Sequence, residues 1–325
     1  MKLSKATVLF LLKLLISVGL LTFLITRIDM QGFVRTLSTA DFSYIALAMV
    51  IYLVTQAISA VRWTLLTRPL GISTSFKDLA VYYFIGMFFN LFAPSTVGGD
   101  VSRVYYLARG EANERQKRVS VTTAHAAVSV LMDRAIGMTV LVWLGAAGLF
   151  LFPEYAIPAA VRSVTFFLAV ALLMFVLFVP VLRRLLPAAG HPFIVKLSLI
   201  LNSYRNGWRV IPQAMTLSLI VHLIQAWMHV IMGLALHLSL PLSFCIIIYP
   251  LVGTFAALPL SFNGLGLREG GYIFLLAAVG IGSEKGIAFG LLLFLIVAFD
   301  SLIGGILFLI NKGSAASSAA REAEV

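Results

Sequence analysis

Long apolar runs separated by short polar interruptions fill the chain from Thr7 to Ile310. A helix needs about 20 residues to cross the hydrocarbon core of a bilayer. Six runs reach that length: Thr7–Thr26, Ser43–Leu66, Val119–Phe152, Val161–Leu182, Pro212–Leu240 and Gly286–Ile310. Two others, Asp78–Ala93 and Leu242–Leu258, are shorter. Each stops at a proline, Pro94 or Pro259, and enters a glycine-rich stretch that is poor helix material. The pattern predicts an all-α integral membrane protein with about six transmembrane helices and two re-entrant broken hairpins, residues 1–312 forming one polytopic domain. Eight full crossings is the alternative arrangement. Met1-Lys-Leu-Ser-Lys5 and the run behind it resemble a secretory signal. The apolar core is too long for one, and Thr26-Arg27-Ile28-Asp29 offers no small-residue cleavage pattern, so a retained first helix is expected. Residues 313–325 are small and polar and read as a disordered cytoplasmic tail.

Composition narrows the class. Hydrophobic residues make up 61% of the chain and charged residues 11%, against about 45–50% and about 25% in soluble domains. A water-soluble fold of this length cannot hide so much apolar surface. The formal charge of +11 is not the footprint of a nucleic-acid binder, because the basic residues sit in short clusters between apolar runs, not on one solvated face. Clusters of that kind fix orientation. With the N-terminus inside and both short runs re-entrant, seventeen of the 24 Lys and Arg residues fall on the cytoplasmic side, including those in Arg103–Arg118, and five fall outside. This predicts a bacterial inner-membrane protein with both termini cytoplasmic. Eight crossings would put Arg103–Arg118 outside.

An internal repeat accompanies the pattern. Pro94-Ser-Thr-Val-Gly-Gly99-Asp-Val-Ser-Arg103 and Pro259-Leu-Ser-Phe-Asn-Gly264-Leu-Gly-Leu-Arg268 both read Pro, four residues, Gly, three residues, Arg. The same offset lays Asp78–Ala93 on Ser243–Leu258 and the helix from Val119 on the last one. Halves of about 1–160 and 161–312 then hold three crossings each, and an odd number requires the second to be inserted upside down. Inverted repeats with broken hairpins are a plan of secondary transporters, with the site near the midplane.

Candidate site residues follow from cost. An ionisable group at membrane depth costs about 2.5–3.5 kcal/mol on insertion scales and faces a cavity or a partner. Asp133 and Arg134 lie mid-run, and Asp300 lies in the last helix near the repeat-equivalent place. They read either as substrate-binding or proton-coupling groups or as structural ion pairs. Around the first break lie Asn90, Ser95, Gly98, Gly99, Asp100 and Arg103, and around the second Asn263, Gly264, Arg268 and Glu269. Glycines let backbone N–H groups approach a ligand, and arginine offers a planar fork suited to phosphate. An anionic head group is the ligand this predicts; helix caps with solvated charges are the plainer reading. His125, His222, His229 and His237 read as packing or interfacial groups, and Arg62-Trp63 as a snorkelling arginine beside a belt tryptophan. Cys245, in an apolar run, reads as packing. The sequence has no metal set, Walker motif, Gly-x-Ser-x-Gly, His-Glu-x-x-His or dinucleotide fingerprint, so no cofactor and no familiar enzyme is expected.

Asn90-Leu-Phe-Ala-Pro-Ser-Thr-Val-Gly-Gly-Asp-Val-Ser-Arg103, Met132-Asp-Arg-Ala-Ile-Gly137 and Leu258-Pro-Leu-Ser-Phe-Asn-Gly-Leu-Gly-Leu-Arg-Glu-Gly270 resemble signatures of the lysylphosphatidylglycerol synthase transmembrane-region family, also called flippase-like. The resemblance runs over nearly the whole chain. It implies a membrane region that moves an aminoacylated lipid between leaflets in bifunctional members, where a separate soluble domain makes that lipid. Here the chain is expected to be a stand-alone member without that domain, and such relatives are linked to polyprenyl-linked sugar, hopanoid or other envelope lipids. Asp133-Arg134 stands where the family pattern often has Glu-Arg. The expected function is a lipid flippase-like transporter that binds a membrane lipid or lipid-linked head group. Alternatives are a membrane-embedded transferase using Asp100, Asp133 or Glu269 as acid or base, and a non-transporting partner of an envelope-lipid biosynthetic enzyme.

Overall fold

The structure is a computed structural model, and it describes residues 22, 30–92, 97–115, 119–185, 204, 207–258 and 264–323. Its helices are α1 (Met30–Ser38), α2 (Phe42–Thr67), α3 (Phe76–Phe92), α4 (Val97–Arg115), α5 (Val119–Leu151), α6 (Ala159–Leu185), α7 (Val210–Ala235), α8 (Leu242–Ala256), α9 (Leu267–Leu276) and α10 (Ser283–Ala323). No strand occurs among the described residues. In hydrocarbon every unsatisfied backbone group costs several kcal/mol, so an apolar run must close its hydrogen bonds within itself. Five described helices, α2, α5, α6, α7 and α10, are long and apolar enough to cross a membrane, and they fall on five of the six expected runs. The sixth, Thr7–Thr26, lies outside the described residues apart from Thr22.

Two boundaries differ from expectation. The fourth of these spans, α7, stops at Ala235 and not at Leu240, because His237 takes a left-handed φ of 54° and turns the chain back. The last helix continues to Ala323 through the small polar stretch that composition alone assigns to disorder; the alanines of that stretch have high helix propensity. At the start of α2, Asp41 caps the helix by accepting from the Ser43 backbone N–H at 2.8 Å and the Ser43 hydroxyl at 2.6 Å. These two bonds hold its carboxyl below the ordinary carboxylate range.

Each short apolar run forms the first arm of a helix–break–helix hairpin. With 17 residues in α3 and 15 in α8, these arms reach about 25 Å and 23 Å at about 1.5 Å per residue, short of a core of about 30 Å. The first hairpin is antiparallel. Tyr82 stacks on Tyr106 with ring centroids 5.5 Å apart, and near the break Gly99 N–H donates to Asn90 Oδ1 at 2.8 Å. A Cβ on Gly99 would run into the Gly86 carbonyl oxygen, so glycine is what lets the arms meet. The hairpin returns the chain to the side it came from, which places Lys77 and Arg109–Arg115 together as the re-entrant arrangement requires. Eight crossings with Arg103–Arg118 on the opposite side does not fit this geometry. In the second hairpin Gly271 faces Val252 and Gly264 faces Ala256, again antiparallel.

The halves exchange partners. The arm α3 packs on α10, the last helix of the second half, while α8 packs on α5, the last helix of the first. Between them α2 and α7 form the central pair, running antiparallel as Gln225 Nε2 donates to Thr55 Oγ1 at 2.8 Å and Arg62 Nη1 to Ser218 Oγ at 2.8 Å. Each of these helix pairings has its counterpart under the repeat offset, as the inverted plan requires.

Candidate functional site

Three helices bring their charges to one point. Asp133 on α5, only 2% exposed, accepts from Arg62 Nε of α2 at 2.8 Å and from Arg103 Nη2 of α4 at 2.9 Å. An unpaired carboxylate this deep would cost several kcal/mol, and two charge-assisted bonds offset that. The Arg103 guanidinium also lies 4.1 Å from the Trp63 ring centroid and 4.6 Å from that of Tyr83, a cation–π clamp. Trp63 Nε1 in turn donates to Ser129 Oγ at 3.1 Å. Arg62 and Trp63 therefore do not snorkel to the surface as expected. Both are buried, and they tie α2 to α4, α5 and α7.

Arg134 turns away from its neighbour, since consecutive helical residues point about 100° apart. Its Nε donates to both oxygens of Asp100, at 3.1 Å and 3.0 Å. Asp133 and Arg134 thus pair with other residues and not with each other. Arg134 is also the less buried of the two, its side chain 40% exposed.

Two adjoining cavities open around this cluster, of about 330 Å³ and about 270 Å³. Arg62, Asp133, Arg134, Arg268, Tyr52 and Gln56 line both, so the charged wall lies where the cavities meet. Arg103 and Asn90 line the smaller one. The arginines of the two matched motifs, Arg103 and Arg268, consequently face one space although they come from opposite halves. Symmetry stops at their acids: Asp133 is held by two guanidiniums, whereas Asp300 is buried with an Oδ2 that has no hydrogen-bond partner among the described residues.

The remaining expected residues serve mainly as framework. Gly98 and Gly99 stand at the start of α4, Gly99 against Gly86. Gly264 takes a φ of 75°, open to glycine at little cost. Glu269 caps α9, its Oε2 accepting from Gly266 N–H at 2.6 Å. Ser95 and Asn263 lie outside the described residues.

Sequence reasoning missed the uncharged part of the wall. The larger cavity is also lined by Ser59, His222, Gln225, Tyr249 and Tyr272. A signal was available: Tyr52, Thr55, Gln56, Ser59 and Arg62 follow each other at helical spacing in α2, as do Ser218, His222, Gln225 and His229 in α7. A polar stripe inside a membrane span marks the face turned from lipid.

Comparison with known proteins agrees with this architecture. The family model described as the lysylphosphatidylglycerol synthase TM region matches residues 10–304. A UPF0104 membrane protein of Methanocaldococcus jannaschii is 27% identical over 136 residues, 42% of this chain and 38% of that protein. Another, from Pyrococcus horikoshii, is 28% identical over 112 residues, 34% of this chain and 33% of that protein. The aligned part thus spans about a third of each relative's length. The family match, by contrast, takes in both hairpins, the Asp133 cluster and the cavity walls, and this chain belongs to the lysylphosphatidylglycerol synthase transmembrane-region family.

Proposed function

We propose that the protein binds the anionic head group of a membrane lipid in the two adjoining cavities and moves it between leaflets, as a flippase does. The observation that carries this reading is the composition of the wall. Four arginines (Arg62, Arg103, Arg134 and Arg268) and one carboxylate, Asp133, line cavities inside a bundle of membrane-length apolar helices. In such surroundings an excess of fixed positive charge attracts an anion far more strongly than in water, and the guanidinium fork matches phosphate oxygens. The basic end of the first hairpin would then face the cytoplasm across an inner membrane. Asp133 is held by two arginines, Asp100 by Arg134, and Glu269 Oε2 by its own helix cap, pairings that support a binding role for this wall over acid–base use of these residues.

The test is reconstitution of the purified protein into vesicles carrying fluorescent phosphatidylglycerol in one leaflet, with quencher added outside. The label is expected to cross at least ten times faster than in protein-free vesicles, and Arg268→Gln is expected to abolish most of that gain. Crossing at the protein-free rate would sink the transport reading.

A further inference from the structure

Resting on that reading, we infer that the head group is a phosphate ester whose outer part is uncharged and rich in hydroxyls, a polyol or sugar, and that head groups bearing an ammonium are rejected. The larger cavity has two chemistries. Arg62, Arg134 and Arg268 form its border with the smaller cavity, whereas His222, Gln225, Tyr249 and Tyr272 line the larger one alone. These are uncharged rings and an amide; the Gln225 amide and the tyrosine hydroxyl oxygens are suited to hydroxyl groups, and His222 orients the Tyr249 hydroxyl.

Their own bonds hold that neutral wall in place. His222 Nε2 donates to the Gly137 carbonyl at 3.0 Å, and its Nδ1 meets the Tyr249 hydroxyl at 2.8 Å. Behind them His229 Nδ1 donates to the Gln225 carbonyl at 2.7 Å while its Nε2 meets the Tyr272 hydroxyl at 2.7 Å. Both imidazoles are therefore engaged at both nitrogens. Gln225 gives one amide proton to Thr55, and an amide has two protons and a carbonyl oxygen, so capacity remains for a ligand.

An ammonium finds no counter-charge here. Among the described residues Asp133 is the one acid lining either cavity, and each of its oxygens already accepts from an arginine. Glu269 and Asp300 are buried and line neither. Nor do the tyrosines form an open aromatic cage, since the rings of Tyr249 and Tyr272 pack on His229 with centroids 4.9 Å and 5.8 Å away. A cationic head group would meet a border where Arg62, Arg103, Arg134 and Arg268 outnumber the two carboxylates paired with them, Asp133 and Asp100, and this excess of positive charge repels it. An aminoacylated lipid such as the family description suggests is the wrong substrate for this wall.

The test is a binding series on the detergent-purified full chain, read by native mass spectrometry, with short-chain lipids that share the same acyl groups. Phosphatidylinositol is expected to bind at least ten-fold tighter than phosphatidic acid, phosphatidylethanolamine or lysyl-phosphatidylglycerol. Tyr249→Phe, which keeps the ring, is expected to erase the advantage over phosphatidic acid without weakening phosphatidic acid itself. If lysyl-phosphatidylglycerol or phosphatidylethanolamine binds as tightly as phosphatidylinositol, ammonium rejection is wrong. Equal binding of phosphatidylinositol and phosphatidic acid overturns the hydroxyl-bearing part and leaves the anionic-lipid reading intact. Failure of every anionic lipid to bind overturns that reading itself. Soluble inositol 1-phosphate binding as tightly as phosphatidylinositol would keep the head-group chemistry and overturn the lipid source.

Discussion

Asp133 and Arg134 are neighbours in sequence with opposite structural weight. Removing the charge of Asp133 leaves Arg62 and Arg103 buried without their shared acid, and breaking a buried pair costs about 3–5 kcal/mol. Arg134 and Asp100 form a partly exposed pair, worth about 1 kcal/mol or less. Asp133→Asn is therefore expected to lower the apparent Tm in detergent by many degrees, and Arg134→Gln to leave it nearly unchanged while weakening lipid binding. Equal shifts for the two would refute the assignment. Arg103 belongs with Asp133 on this scale, since its clamp between Trp63 and Tyr83 makes it a structural cation as well as a wall residue. The Asp133 position was legible because a mid-span acid must be explained. Arg62 was not, because an arginine beside a tryptophan at the end of an apolar run has an adequate surface explanation, and its burial comes from long-range contacts with α5 and α7.

Where helices meet closely, glycine decides the distance. A Cβ on Gly304 of α10 would run into the Phe84 carbonyl oxygen of α3, so the two elements could not stay in contact. Gly270 of α9 has open space around it. Overpacking of this kind costs about 1–3 kcal/mol, whereas glycine to alanine in an unobstructed helix gains about 0.4–1 kcal/mol. Gly304→Ala is expected to lower the apparent Tm and the yield of folded protein, and Gly270→Ala to match or exceed wild type in the same thermal assay. The two hairpins could be read from the sequence because a short apolar run ending at Pro-x4-Gly has few other outcomes. The early end of α7 could not. It depends on His237, whose Nε2 donates to the Thr39 carbonyl at 2.8 Å, a tertiary contact with no local signature.

At the scale of the whole molecule the five spans and the returning hairpin fix which segments share a side. Helix α5 has 33 residues, about 50 Å at about 1.5 Å per residue, so its ends lie beyond opposite faces of the bilayer core. Single cysteines at Ser75 and Ser120 are expected to react with a membrane-impermeant maleimide from one side, and a cysteine at Ala156 from the other. Labelling of Ser120 and Ala156 from the same side would refute the topology. The inverted plan was legible from charge and from a three-residue match, but how the halves interlock was not, because nothing in the repeat says whether a hairpin packs on its own half or on the other.

That interlocking sets the order in which the protein can be finished. Phe84 leaves the ribosome long before Gly304, yet the two sit against each other in the folded molecule. While the second half is being synthesised, the first hairpin must wait in the bilayer with one face uncovered. Completion of the fold therefore does not simply follow the order of translation: an arm of the first hairpin is sealed by a helix made much later in the chain.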